Sequence, residues 1–476
     1  MSAGRQRGAE KGDQKDLPGR SPVHDQQPSP AIFARASAPG RAGVAVFRLS
    51  GRDSFRITGA LCGALPAART AVLRSLRHGG ETIDEGLVIL FPGPASYTGE
   101  DVAEFHLHGS PAVEQALYEA FLSLGARPAE AGEFTRRALL NGKLDLAEIE
   151  GLADLLDAET ALQRKAALGQ LGGRLSALAE GWRARLVAVM APLEAEIDFP
   201  DEEGVPADIA ARAVPEIEAL ITELETVRAG AKRARAAREG VKIAIIGPPN
   251  AGKSSLLNAL AGSDRAIVSD TPGTTRDIVE ARLDLGGALV TLFDTAGLRD
   301  DHADAVEAEG IRRTRIKMEQ ADLRLLVLDV SRETSYRAGN AYDRQYGLRD
   351  GDLVIFNKID AKPGFDPQPR SRDTFYLSAL TGSGVPGLMK RLTEVAGALS
   401  AAATDAGLTR VRHEQAVAKA IGHLNAARAT VGDAQELAAE DIRLAARALG
   451  TITGAIGVED VLDAIRRHDI SPGLLE

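Results

Sequence analysis

Gly247-Pro248-Pro249-Asn250-Ala251-Gly252-Lys253-Ser254 is the stretch that decides the fold. Its glycine spacing and the Gly-Lys-Ser that closes it form the pattern of a phosphate-binding loop. An apolar run, Val241 to Ile246, leads into it, and an amphipathic stretch, Ser255 to Ala261, follows. The spacing therefore predicts a strand, a loop and a helix, the context the motif requires. Glycines let backbone N–H groups close around phosphate oxygens, and the helix N-terminus adds partial positive charge. Lys253 is placed to reach the terminal phosphates, and the Ser254 hydroxyl is a natural Mg²⁺ ligand. Asn250, Ala251, Gly252 and Ser255 complete the nucleotide contacts expected of the loop.

The base is legible further along. Asn357-Lys358-Ile359-Asp360 follows the apolar run Leu353 to Phe356. A carboxylate there can accept from the ring N1–H and the exocyclic amine of guanine, a donor pair that adenine does not match. Ser378-Ala379, after Phe375-Tyr376-Leu377, offers backbone to the guanine O6. Asp294-Thr295-Ala296-Gly297 closes the run Leu289 to Phe293. Asp294 is expected to hold Mg²⁺ through water, and the Gly297 amide to sense the γ-phosphate. Between these elements lies Asp270-Thr271-Pro272-Gly273-Thr274-Thr275-Arg276-Asp277, with hydroxyls for the metal. In this order the motifs predict a Ras-like α/β domain that binds and hydrolyses GTP. Ras-like proteins place a water-orienting Gln directly after the Asp-x-x-Gly element. Leu298 stands there and cannot orient water. A carboxylate among Asp300, Asp301, Asp304, Glu307 and Glu309, or a group supplied by a partner, has to take that role.

A chain of 476 residues has room for about two to four domains with sizeable cores. With 26% charged residues and no apolar run of membrane-spanning length, the class expected is soluble and globular. The single cysteine, Cys62, excludes an internal disulfide and a Cys-based zinc site, and among Leu61, Gly63 and Ala64 it reads as a buried, inert thiol. Residues 1–30 are polar and rich in Gly, Pro and Gln, without the apolar core of a secretory signal, and are expected to be a disordered extension. A net charge of −10 argues against strong unaided binding to nucleic acid.

Residues 31–143 alternate β-like runs, Val44 to Leu49, Gly86 to Phe91 and Val102 to Leu107, with a helical one, Pro111 to Leu124. Beyond 143 the pattern changes. Leu168, Leu171, Leu175, Leu178, Trp182, Leu186, Val189, Leu193 and Ile197 recur at the period of one long amphipathic helix. A second helix is expected over 207–239, its basic end, Lys232 to Arg238, reading as solvated. Leu285-Gly286-Gly287-Ala288 reads as a hairpin turn, and helical periodicity returns from Arg410 to Arg467. The expected fold class is α/β and α+β multidomain. It comprises an α+β N-terminal domain (31–143), an all-α helical domain in two pieces (144–239 and 398–476) and an inserted P-loop GTPase domain (240–397).

Motifs outside the GTPase carry a resemblance. They are Ala38 to Val44 (Ala-Pro-Gly-Arg-Ala-Gly-Val), Phe47 to Gly51 (Phe-Arg-Leu-Ser-Gly), Tyr97 to Glu104 (Tyr-Thr-Gly-Glu-Asp-Val-Ala-Glu), Gly132 to Asp145 and Ile197 to Glu203. With the phosphate loop, they make the chain resemble the MnmE (TrmE) family of tRNA-modification GTPases over roughly residues 31–465. The resemblance implies a first domain that binds a tetrahydrofolate, usually 5-formyltetrahydrofolate, through Arg48, Glu104 and Lys143. Charges of both signs suit the amidine-like pterin edge and the glutamyl tail. The resemblance also implies a homodimer through this domain. It implies a K⁺ ion, held by Asn250, Ser269, Thr271 and Thr274, where other GTPases use an arginine finger. Mg²⁺ falls to Ser254 and Thr275, and water orientation to Glu307. Ser269, Thr274, Thr275, Thr295 and Ala296 join the GTP contacts.

The implied activity needs a flavin-dependent, MnmG-like FAD protein as partner in a heterotetramer. Together they would add an aminomethyl or carboxymethylaminomethyl group at C5 of the wobble uridine of certain tRNAs. Folate would be the one-carbon donor and tRNA would be held mostly through the partner, in the cytoplasm and away from membranes. One alternative, a ribosome-assembly GTPase, needs an RNA-binding appendage, and neither a KH-like signature nor a basic C-terminal domain is visible. The other is a regulatory switch without one-carbon chemistry. The tail departs from the family, which usually ends Phe-Cys-Ile-Gly-Lys. Here Asp460 to Ile465 is followed by Arg466 to Glu476, without the terminal Cys or Lys, and weaker folate affinity is expected.

Overall fold

The computed structural model describes residues 30–198, 209–263, 265–267, 280–294, 319–332, 346–362, 373–400 and 407–454. These fall into two compact units, divided between Phe134 and Thr135.

The first unit runs β1 (Ile32–Arg35), β2 (Ala42–Ser50), α1 (Ser54–Cys62), β3 (Val72–His78), β4 (Glu81–Phe91), β5 (Val102–Gly109), α2 (Pro111–Ser123) and β6 (Arg127–Pro128). The expected strands lie inside β2, β4 and β5, and the expected helix is α2. One sheet has the order β3-β4-β5-β2-β1-β6, antiparallel except where β1 meets β6. Alternation along the strands sorts the side chains by face. Phe47, Leu49, Val88, Leu90, Phe105 and Leu107 join Ile57 and Leu61 of α1 and Leu117 and Phe121 of α2 in one core. Arg48, Glu104 and His106 take the other face. Cys62 is half-buried rather than buried, and burial pushes its thiol up, which favours the protonated form.

The division falls within α3 (Glu133–Leu140). The second unit then contains α4 (Leu146–Leu156), α5 (Ala161–Leu171), α6 (Arg174–Asp198), α7 (Ile209–Ala229) and α8 (Ala231–Glu239). Two expected helices are each broken. The long one divides into α5 and α6 at Gly172-Gly173, where Gly173 has φ 77, a conformation that ends a helix. The periodicity runs across the gap in the sequence only: before it Leu168 is exposed and Leu171 half-buried, while Leu175, Leu186 and Leu193 beyond it are buried. The second divides at Gly230, whose N–H bonds back to Val227 O in a tighter turn.

The GTPase pattern follows as β7 (Val241–Ile246), α9 (Lys253–Ala261), β8 (Glu280–Leu285), β9 (Ala288–Asp294), β10 (Leu323–Asp329), β11 (Leu353–Asn357), β12 (Thr374–Tyr376) and α10 (Val385–Ser400). Its sheet has the order β12-β11-β10-β7-β9-β8, parallel except for the β8–β9 hairpin. Gly286 (φ 71) and Gly287 (φ 91) make that hairpin's two-residue turn, which needs positive φ at both positions. The chain ends its described course in α11 (Val411–Thr430) and α12 (Gln435–Thr453). Trp182, Leu186 and Leu193 of α6 pack with Ile217 and Leu220 of α7, Val417 and Leu424 of α11, and Ile442 and Leu449 of α12.

The basic end of α8 is not simply solvated. Arg235 pairs with Glu414 at 2.9 Å, and Arg238 lies 3.7 Å from Asp154, so the run is held by carboxylates far off in sequence. Asp154 also accepts from Arg410 at 2.8 Å. One turn away, buried Glu150 accepts from Arg412 Nε (2.6 Å) and Nη2 (2.7 Å) and pairs with His413 Nε2 (2.9 Å). Burial opposes its ionisation, but the hydrogen bonds from His413 and Arg412 win and hold its carboxyl down at about 2. His413 is pushed below its ordinary value, chiefly by burial.

Removing the Glu150 charge takes the carboxylate from Arg412, which keeps its bonds to Thr451 O and Ile452 O, and from fully buried His413. Glu150→Gln should lower unfolding stability at pH 7 by about 3–5 kcal/mol. Trp182, the single tryptophan, is buried in the same body and reports urea unfolding there. Because the folded pKa is depressed, the Glu150 contribution is complete above its ordinary 4.5 and is lost as pH falls towards about 2. Equal stability of the variant at pH 7 would show that the network does not hold the bundle.

Candidate nucleotide and folate sites

The loop between β7 and α9 is shaped by backbone that crowds it. A Cβ on Gly247 (φ 139) would stand 2.2 Å from Val327 O, and one on Gly252 (φ 90) 2.3 Å from Asn357 Nδ2. Neither position has room for a side chain. Lys253, only 6% exposed, donates from Nζ to Gly247 O and Pro248 O, both at 3.0 Å. Its ammonium is thus held at the loop, where phosphate would meet it. Ser254 Oγ donates to Asp294 Oδ2 at 2.5 Å, and Asp294 is buried at the end of β9. A hydroxyl beside a carboxylate is the hard-oxygen donor set that suits Mg²⁺.

Asn357, 1% exposed, ties three segments together. Its Nδ2 donates to Ala251 O at 3.0 Å, while its Oδ1 accepts the Lys358 N–H at 2.8 Å and the Ala379 N–H at 3.0 Å. Ser378 is buried, and its N–H donates to Ser383 O. Lys358, at φ 65, donates from Nζ to Asn250 O (2.6 Å) and to Asp329 Oδ2 (2.9 Å). Asp360 lies in a short 3-10 turn, Ile359–Ala361, and is exposed, free to meet a base. The phosphate loop, the base-reading loop and the 378–379 segment therefore converge at the carboxyl ends of β7, β11 and β12, where open α/β sheets bind ligands. Asp329 was missed in the sequence. The signal was there, since it closes an apolar strand as Asp294 does.

Ser269, Thr271, Thr274, Thr275, Thr295, Ala296, Gly297 and Glu307 lie outside the described residues, as do Leu298, the other candidate carboxylates and the tail. Asn250 and Ser255, at the loop and in the first turn of α9, are within them.

In the first unit, Arg48 and Glu104 are direct partners in the β2–β5 register. Arg48 Nε and Nη2 donate to Glu104 Oε1 at 3.0 and 2.8 Å, and its guanidinium lies 5.0 Å from the Tyr97 ring centroid. His106 Nε2 stands 3.7 Å from Glu104 Oε2, and among the described residues it is a buried nitrogen with no hydrogen-bond partner. A guanidinium, a carboxylate, an aromatic face and an unpaired imidazole nitrogen fit a planar heterocycle bearing an acidic tail. Lys143 belongs to the second unit and is exposed in the connection between α3 and α4, its backbone N–H bonded to Ala138 O.

Comparison with known proteins gives two family matches: the MnmE helical domain over residues 146–467, and the GTP-binding protein TrmE N-terminus over residues 31–143. The chain is 49% identical over 442 residues to the tRNA modification GTPase MnmE of Caulobacter vibrioides, covering 91% of this chain and 97% of that one. It is 50% identical over 440 residues to the protein of the same name from Paramagnetospirillum magneticum, covering 92% and 98%.

Asn357→Ala would leave one buried carbonyl and two N–H groups without their partner. Guanine-nucleotide affinity should fall at least about tenfold, since each unsatisfied group costs about 1–3 kcal/mol. Calorimetric titration with GDP reads it, and unchanged affinity would show that the loops keep their places without the amide.

Proposed function

The chain belongs to the MnmE family of tRNA-modification GTPases, and from that premise we propose that it modifies C5 of the wobble uridine of certain tRNAs, using a folate one-carbon unit, with a flavin-dependent MnmG-like partner. That it is a GTP hydrolase of tRNA modification, using Mg²⁺, follows from the family. The observation that carries the finer reading is the joining, in one chain, of a guanine-type phosphate-loop site to a sheet face bearing Arg48, Glu104 and the unpaired His106 nitrogen.

At the nucleotide site Lys253 offers its ammonium to the terminal phosphate oxygens. Ser254 and Asp294 would hold Mg²⁺, directly and through water, with Thr275 as a further ligand. Bound there, Mg²⁺ would withdraw charge from the phosphate oxygens. Asp360 accepts from the guanine N1–H and amine. Glu307 orients the attacking water, the role that Leu298 cannot take. Asn250, Ser269, Thr271 and Thr274 would hold K⁺, which would supply the charge of an arginine finger. At the folate site Glu104 accepts from the pterin edge, and Arg48 and Lys143 neutralise acidic groups. The tetrahydrofolate would supply the one-carbon unit.

Homodimerisation through the first domain is supported by its open sheet face. Leu73 and Leu87, cross-strand partners there, are 57% and 39% exposed. Among the described residues no helix is long and apolar enough to cross a membrane. The domain division 31–143, 144–239 with 398–476, and 240–397 belongs to the same proposal, as does a cytoplasmic location.

Mass spectrometry of tRNA nucleosides tests the function. Cells lacking the protein should lose the wobble modification. The wild-type gene should restore it, and Arg48→Ala should not. Intact modification in the deleted cells would refute the proposed reaction. GTP hydrolysis should run several-fold faster in K⁺ than in Na⁺ at equal ionic strength, and Asn250→Ala should abolish the difference. Equal rates in the two salts would remove the K⁺ site.

A further inference from the structure

Asp329 closes β10 and pairs in register with Asn357 at the end of β11. Its two carboxylate oxygens do different jobs. Oδ1 accepts from the Ser331 N–H at 3.0 Å and the Ser331 Oγ at 2.6 Å, which fixes the carboxylate on its own turn. Oδ2 faces Lys358 Nζ at 2.9 Å. The same ammonium donates to Asn250 O in the phosphate loop at 2.6 Å. Lys358 Cε lies 3.7 Å from the place a Cβ on Gly252 would take, so the lysine stem runs along the phosphate loop beside Asn357. Lys358 holds φ 65, a conformation an L residue adopts at a cost, and its two ammonium contacts offset that cost.

We propose that Asp329 is a positioning residue of the guanine site, fixing Lys358 across the phosphate loop and thereby the register of the base-reading loop. The inference rests on the reading of residues 357–360 as the guanine-binding element. Asp329 would touch no part of the nucleotide. A carboxylate serving only its own turn would need Oδ1 alone, and Oδ2 would face water. Instead Asp329 is 7% exposed, and Oδ2 meets a cation from another strand. Burial pushes its carboxyl up, but hydrogen bonds from Ser331 and Lys358 bring it below its ordinary value, so it stays charged.

Asp329→Asn keeps the shape and both Ser331 bonds but turns an amide towards the ammonium. Fluorescent N-methylanthraniloyl-GDP should bind about tenfold more weakly, and the KM for GTP should rise more than kcat falls. In a Lys358→Met background, which has no ammonium to position, adding Asp329→Asn should change affinity by less than about twofold. A merely structural role would instead persist in that background and lower the melting temperature of the nucleotide-free protein. Affinity of Asp329→Asn within about twofold of wild type, or a full effect retained beside Lys358→Met, overturns the proposal. Asp360→Asn tests the underlying reading separately and should shift preference from GTP to XTP. No such shift overturns the guanine assignment, whatever Asp329→Asn does.

Discussion

Asp154 sits where the chain leaves the helical body and where it returns. Arg238, at the end of α8 and just before β7, approaches it from one side, and Arg410, just before α11, from the other. Inserting a domain into a bundle parts two helices that must still pack together. Here the parting is closed by charge. Glu150, on the same helix as Asp154, takes Arg412 and His413 at the head of α11. Burying such a network is expensive, and apolar residues of like volume would be as stable or more so. What charges add is selectivity. Arg410 reaches both carboxylates and Glu150 gathers Arg410, Arg412 and His413, so the head of α11 is tied to α4 by a shared network.

The nucleotide site applies the same device at smaller scale. Asn357 is a neutral amide, but it is the buried group through which the phosphate loop meets the base-reading loop. Lys358 and Asp329 repeat the linkage with charge, one strand further along. Both linkages cross Gly252, where no side chain fits. The glycine spacing of the motif thus serves two ends. It frees amides for phosphate, and it lets a neighbouring strand's side chains close over the loop.

Legibility of the sequence followed the range of the interactions. The phosphate loop, the hairpin at Gly286-Gly287 and the strand-end motifs are local, and their chemistry is written in consecutive residues. The helix breaks were not legible from period alone, because Gly172-Gly173 keeps leucines in phase on both sides while ending the helix. Arg238 read as solvated because its carboxylate partner Asp154 stands far away along the chain. Asp329 was passed over for a similar reason. An aspartate after an apolar run is ordinary punctuation until Lys358 is seen beside it. Arg48 and Glu104 came from a family likeness alone. The β2–β5 register makes them direct cross-strand partners.

The GTPase sheet touches the helical body at a second place, and the two attachments are unequal. The β8–β9 hairpin meets the start of α5 through Leu162 N–H to Gly287 O at 3.2 Å and an ion pair between Arg282 and Glu159. That pair is open to solvent, with side chains 43% and 29% exposed, and such pairs contribute about 0–1 kcal/mol. The carboxylates at the chain crossing are only 11% and 15% exposed. Between the two attachments lies a cleft of about 220 Å³, lined by Asp154, Gln163, Arg238, Arg282, Leu289 and Thr409 among others. The cleft is bridged: Gln163 Nε2 donates to Arg238 O at 2.8 Å, and Leu162 of α5 and Ala236 of α8 pack on the GTPase core. The hairpin also joins the segment that precedes β8 to Asp294, whose carboxylate takes the Ser254 hydroxyl. The hairpin therefore runs from Asp294 to the start of α5, whereas the charged crossing lies where the chain enters and leaves the GTPase sheet.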